Sequence, residues 1–199
     1  MGKFTHCCIV TGTTAEALAS FYESSGMQAF IFQDRRRRCA VCDDDDEADL
    51  DLVAQLTARF QTAALLGQIL DSSVFVGTIY NREVAVDEYI DYPDSLFAYI
   101  DEDSVSNVNR ALSIEQRAAE WATLFDARNT SEILADVFRR RDEYVFAEEF
   151  FAALLEALKL PTVLVGADCS DVERIYNVDP VAQKMFRHAG SGGVEEDWD

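Results

Sequence analysis

Cys39-Ala40-Val41-Cys42 is the pattern in this chain with the most obvious chemistry, because two thiols three residues apart can grip zinc or exchange a disulfide. A zinc knuckle needs both thiolates turned to one point, and a redox pair needs a thiol made acidic by a cation or a helix N-terminus. Arg35 to Arg38 precede the pair, but Asp43 to Asp46 follow it at once and oppose a thiolate at Cys42. The intervening Ala-Val lacks the Gly of a knuckle, and the further cluster is His6, Cys7 and Cys8. If the strands carrying the two groups were neighbours, Cys8 or His6 could meet Cys39. The reading that follows from residue type is buried strand cysteines, with no metal and no cofactor, since free Cys is among the most buried residue types.

A second group of residues offers recognition rather than catalysis. Asp87, Glu88, Asp91, Asp94, Asp101, Glu102 and Asp103 are interleaved with Tyr89, Tyr92, Phe97 and Tyr99. Aromatic anchors in a polar rim are the make-up of protein interfaces, and a rim of acids selects a basic partner. The candidate partner-binding residues are therefore Asp87, Glu88, Tyr89, Asp91, Tyr92, Asp94, Asp101, Glu102 and Asp103. The competing arrangement has the aromatics buried against helices and the acids only solvating the surface.

Catalytic patterns fail one by one. Pro93-Asp94 looks like the start of a metal-dependent nuclease motif, which needs an acid two residues before a lysine. Lys3, Lys159 and Lys184 have Met1, Ala157 and Ala182 there. Read as a calcium loop, Asp43 to Asp51 places Ala48 or Leu50 where the turn glycine belongs, and Ala54 or Leu56 where the bidentate glutamate belongs. His6 and His188 are the only histidines, and there is no phosphate-binding glycine loop, dinucleotide fingerprint, zincin helix or nucleophile elbow. A carboxylate-based or metal-assisted hydrolase remains as the enzymatic alternative, because glycoside chemistry needs only two well-spaced acids. The motif-free chain is otherwise read as non-enzymatic.

Charge sets the class of partner. The 37 Asp and Glu against 17 Lys and Arg leave a formal charge of −20, which repels nucleic acid and anionic membrane and attracts basic protein surfaces. Residues 1–42 hold Lys3 and Arg35 to Arg38 against Glu16, Glu23 and Asp34, so the whole acid surplus lies beyond Cys42. Arg35 to Arg38 are read as a hairpin tip paired with acidic neighbours rather than as a polyanion site. A structural or housekeeping protein of a salt-adapted organism would carry the same surplus for a different reason. The hydrophobic content of 49%, with only three Pro, supports a folded core. The five cysteines are odd in number and not spaced as a disulfide framework. With no apolar run of membrane length and no apolar leader, they point to free thiols and a cytoplasmic address.

The elements that must position these groups come from periodicity. Phe4 to Thr11 reads as a strand, and Thr13-Thr14-Ala15-Glu16 as a capping box opening a helix that Gly26 stops. Met27 to Phe32 and Arg38 to Cys42 are further strands joined by Asp34 to Arg37. Leu50, Val53, Leu56, Phe60 and Ala64 make one helical stripe behind the acidic run. Val74 to Tyr80 and Val84 to Ile90 are strands joined at Asn81-Arg82-Glu83, the second with Asp87 and Asp91 on a wet face. From Ser104 the period becomes helical: a capping box at Ser113 to Gln116, an amphipathic stretch at Ile133 to Phe138, and a helix over Tyr144 to Leu158 with Phe146, Phe150, Phe151, Leu154 and Leu158 inward. Thr162 to Val165 is a candidate strand and Asp179-Pro180 starts a helix through Phe186. These elements predict an α+β fold, a small mixed or antiparallel sheet with covering helices followed by a helical C-terminal half. The expected divisions are residues 1–103, a helical 104–189 packed on them, and an acidic tail, 190–199.

Val86-Asp87-Glu88-Tyr89 with Pro93-Asp94 resembles a passage in uncharacterised bacterial proteins of mixed α/β build. As a strongly acidic, motif-free chain of single-domain size, it also resembles in type the small immunity, or antitoxin, proteins that bacteria encode beside secreted toxins. That likeness implies a toxin domain as the basic partner, neutralised by covering its active-site surface.

Overall fold

The computed structural model describes residues 4–43, 48–92 and 112–190. The fold is α+β: a seven-stranded antiparallel sheet with helices on both faces and a helical C-terminal half. In chain order the strands are β1 (Phe4–Thr11), β2 (Ala29–Gln33), β3 (Arg38–Asp43), β4 (Ala63–Leu70), β5 (Val74–Asn81), β6 (Val84–Ile90) and β7 (Phe186–Ala189). The sheet order is β6-β5-β4-β1-β3-β2-β7. The helices are α1 (Ala15–Ser24), α2 (Leu50–Phe60), α3 (Ile114–Leu124), α4 (Ser131–Arg139), α5 (Ala147–Ala157), α6 (Cys169–Val178) and α7 (Pro180–Met185). Among the described residues, no helix is long and apolar enough to cross a membrane.

Alternation along β1 divides the core in two. Cys8 and Val10 point to the face covered by α1 and α2, where Leu18, Tyr22, Leu52, Val53 and Leu56 meet Ile31, Val41 and Leu66. Cys7 and Ile9 point to the other face, where Trp121, Phe138, Phe150, Phe151 and Leu154 pack on Leu65, Phe75 and Ile79. The helical half and the sheet thus share one core. Gly67 and Gly77 are paired across β4 and β5 and leave room for it: a Cβ on Gly67 would lie 2.2 Å from the Phe151 ring, and one on Gly77 3.3 Å from Trp121.

Several elements depart from the periodicity reading. β4 was legible as a helix tail at Ala64, yet it is a central strand paired along its length with β1 and β5. Its Ala-Ala-Leu-Leu composition favours helix, and burial on both faces overrides that preference. The α1 N-cap is Thr14, whose hydroxyl accepts from Ala17 N–H, one residue beyond the expected box. Thr162 to Val165 forms turns rather than a strand, and helix α6 and strand β7 follow where no regular element was expected before Asp179 or after Phe186. The β5–β6 connection places Arg82 and Glu83 at positive φ, 50° and 82°. Two successive left-handed residues are what a two-residue hairpin turn requires. The box at Ser113 forms as read, with Ser113 and Gln116 exchanging hydrogen bonds.

Candidate protein-binding surface

β6 carries the predicted acidic site, and its burial differs from expectation. Asp87 and Asp91 are 1% and 3% exposed and Glu88 is 7% exposed, so none of the three presents a solvated carboxylate. The face predicted to be wet is the one the helical half covers. Tyr89, between the two aspartates, packs against Phe138 and Phe150. Glu88 lies on the opposite face and accepts from Thr78 Oγ1 at 3.4 Å.

Each buried aspartate is matched by a cation from the C-terminal half. Asp87 accepts from Arg117 Nε at 2.8 Å and Nη2 at 3.3 Å, and from Trp121 Nε1 at 2.7 Å. That is a forked ion pair with the indole N–H filling a further lone pair, so one strand residue holds two successive turns of α3. Asp91 accepts from the Phe75 amide and from Arg141 Nε, and Arg141 also donates to the Tyr144 carbonyl at 3.1 Å. Burial pushes the Asp91 carboxyl above its ordinary range, against the opposing pull of the Phe75 amide and Arg141. The Arg141 guanidinium stacks on the rings of Tyr92 and Phe150, 4.9 Å from each centroid. These pairs fasten the helices to the edge strand. A desolvated pair contributes little net stability itself, but losing one partner strands the other's charge.

The Asp91–Arg141 pair also builds what lies beside it. Tyr92 sits at φ 50° just past β6, with its ring on Arg141 and its hydroxyl 3.1 Å from Asp142 Oδ1. The following turn leads into α5, whose start is tied to the β4–β5 turn by Ala147 N–H donating to the Ser72 carbonyl at 3.0 Å. Glu148 turns in to the same place, accepting from Ser72 Oγ at 2.5 Å. Glu149 reaches back to the amides of Val145 and Phe146, at 3.2 and 3.4 Å. Val145 and Phe146 are left 76% and 51% exposed, and Tyr92 44%.

This end of the sheet therefore presents Tyr92, Val145 and Phe146 to solvent with the exposed acids Asp71, Asp142, Glu143 and Glu149 around them. Glu143 is held by Arg140 at 2.6 Å, and that ion pair keeps its carboxyl below the ordinary range. Of the predicted residues, Tyr92 belongs to this surface and Tyr89 lies half-buried beneath it, while Asp94, Asp101, Glu102 and Asp103 fall outside the described residues. The Phe150 stripe, continued back by one turn, predicts Phe146 to face inward. Phe146 precedes the first helical residue, however, where the backbone is extended and the stripe no longer applies. A valine and a phenylalanine ahead of Ala147-Glu148-Glu149, with Glu149 placed to cap, were the available signal.

The cysteine pattern is resolved by strand geometry. Cys39 and Cys42 are three apart on β3, so they point to opposite faces, Cys39 into the α1–α2 core and Cys42 into the other. β1 and β3 are neighbours, but Cys39 stands opposite Val10 and Cys8 opposite Val41. His6 Nε2 instead meets Asp43 Oδ1 at 2.7 Å. Burial pushes the Cys7 and Cys39 thiols up to about 12. Among the described residues no three His, Cys, Asp or Glu side chains are grouped to hold a metal. Of the arginine tip, Arg38 pairs with Asp34, while Arg35, Arg36 and Arg37 are exposed.

Comparison with known proteins returned no matching family model, no matching curated protein and no matching solved structure.

Proposed function

We propose that this chain is a non-enzymatic acidic binding protein of the bacterial immunity or antitoxin type, acting in the cytoplasm, and that it neutralises a toxin domain by covering a basic active-site surface. The observation that carries the reading is the exposed trio Tyr92, Val145 and Phe146 set among Asp71, Asp142, Glu143 and Glu149. Apolar anchors supply the desolvated centre of an interface, and the surrounding carboxylates, in a chain of net charge −20, select a cationic partner and speed its approach. Clefts that act on nucleic acids or phosphorylated nucleotides are positive and offer the matching field. The carboxylates that a hydrolase would have drawn from β6 are engaged with Arg117, Trp121 and Arg141, which favours recognition over chemistry.

The test is recovery of a partner by the tagged full-length chain, compared with a Tyr92→Ala/Phe146→Ser double variant and repeated at about 50 and 500 mM salt, a range that shortens the screening length severalfold. A basic protein held at low salt by the wild type, released by salt and not recovered by the double variant fits the proposal. A partner retained equally by both proteins and insensitive to salt rejects it.

A further inference from the structure

The sheet's far end carries a second cluster, distant in sequence and chemically unlike the first. A cleft of about 290 Å³ opens beside the start of β1 and the end of β3, lined by His6, Phe30, Cys42, Asp43, Cys169 and Glu173 among others. Two of its walls bring thiols together. Cys169, the first residue of α6, directs its Sγ at the Cys42 carbonyl, 3.7 Å away, and Cys42 Sγ points at the Ala167 carbonyl, 4.0 Å away. Each sulfur is thus aimed at backbone on the other's segment, Cys169 at Cys42 itself and Cys42 at the residue two before Cys169. A hydrogen bond with the Cys169 thiol, together with burial, holds the Cys42 thiol well above its ordinary range. All five cysteines are free, and four of them are buried; Cys169 alone is partly open to the cleft.

The segment that Cys169 begins is lightly anchored. Along α6 only Val172 is buried, and along α7 only Ala182. Ile175, Val178, Val181 and Met185 are exposed, while β7 hangs on the edge of the sheet through four residues paired with β2. Besides the contact at Cys42, the packing comprises the stack of Phe30, Tyr176 and His188, the Phe32–Phe186 ring pair, and Ala189 buried in the α1–α2 core. A covalent tie at Cys42 would therefore act on helices that bury one side chain each.

We propose that Cys42 and Cys169 are a reversible redox pair that hydroperoxides convert to a disulfide, clipping α6 and the C-terminal edge strand to β3. Cys169 Sγ attacks one peroxide oxygen: the S–O bond forms, the O–O bond breaks, and the thiol proton leaves with the other oxygen as water or an alcohol. Cys42 Sγ then attacks Cys169 Sγ, forming the S–S bond, while the S–O bond breaks and the departing oxygen takes the Cys42 proton as water. Two thiols lose two electrons and one peroxide gains them. The more accessible sulfur reacts first, and the shielded one resolves it before further oxidation.

The test treats the full-length protein with hydrogen peroxide, alkylates the remaining thiols and maps the peptides by mass spectrometry. The expected result is a Cys42–Cys169 linked peptide, with free thiols falling from five to three and restored by dithiothreitol. Amide exchange across Cys169–Val178 and Phe186–Ala189 should slow roughly tenfold on oxidation. In Cys42→Ser, Cys169 should accumulate as a sulfenic acid trapped by dimedone, and Cys169→Ser, which alters a partly exposed position, should abolish the link. A Cys7–Cys42 link, irreversible oxidation of Cys169 beside a free Cys42, five unreacted thiols, or a link that leaves exchange unchanged would each overturn the proposal.

Discussion

Asp87 on β6 and Asp91 just past its end, and Asp142 and Glu149 by the α5 N-terminus, belong to one acid-rich population by composition, yet they do opposite work. Asp87 and Asp91 are buried and bridged to Arg117 and Arg141, so their charges are spent inside the fold. Asp142 and Glu149 stand in solvent around Tyr92, Val145 and Phe146. A surplus of negative charge therefore says little about which carboxylates a partner would meet. What separates the two groups is whether a cation from elsewhere in the chain reaches them.

Breaking that contrast on its buried side gives the largest effect. Asp91→Ala leaves the Arg141 guanidinium, 8% exposed, without its counter-ion and should lower unfolding free energy by about 3–5 kcal/mol, measured by denaturant titration. It should also release Tyr92, whose ring rests on that arginine. Asp87→Ala strands Arg117 and the Trp121 indole N–H. Because Arg117 is more open, at 12%, the loss should fall nearer the lower end, about 3 kcal/mol, with quenched or shifted Trp fluorescence as a second readout. A loss below ~1 kcal/mol at either site would place these aspartates with the exposed group.

Alkaline pH probes the same core through its thiols. The ordinary thiol value is 9.0 and the folded values at Cys7 and Cys39 are about 12, so below pH 9 both states hold these protons. Between about pH 9 and 12 the unfolded chain releases them while the native one does not. Stability must therefore fall as pH rises through this window, each group contributing up to ~1.4 kcal/mol per pH unit. Tyr89, raised from 10.0 to about 12 chiefly by burial, steepens the upper part. Denaturation midpoints taken from pH 8 to 11 should show the decline, and Cys39→Ala should flatten it.

On the exposed side, Asp71→Asn with Asp142→Asn should leave the unfolding midpoint nearly unchanged yet slow association with a cationic partner severalfold at low salt, as stopped-flow mixing would read. A midpoint shift as large as that of Asp87→Ala would erase the contrast.

Local signals explain what was legible in the sequence. β1, β5 and β6 announce themselves by β-branched residues, and the α3 start by Ser113 and Gln116, because those preferences act within a few residues. β4 was hidden since Ala-Ala-Leu-Leu reads as helix until β1 and β5 flank it. The alternation of Asp87 and Asp91 was visible, but its meaning depended on Arg117, Trp121 and Arg141, 30 to 50 residues away. Phe146 was misread for a local reason, lying one residue ahead of its helix. Of the proposed recognition surface, Tyr92 is legible in the sequence, whereas Asp71, Asp142, Val145 and Glu149 are brought to one end of the sheet by the Asp91–Arg141 pair and the Ser72–Ala147 tie.

The central claim is that a cationic protein docks on the sheet end formed by the β4–β5 turn, Tyr92 and the approach to α5. Hydrogen–deuterium exchange of the chain with and without its recovered partner tests it most directly. The account predicts protection concentrated at Asp71–Ser73, Asp91–Tyr92 and Asp142–Glu149. Protection confined to the Asp34–Arg38 hairpin or to the exposed faces of α6 and α7, with the sheet end exchanging as in the free protein, would contradict it.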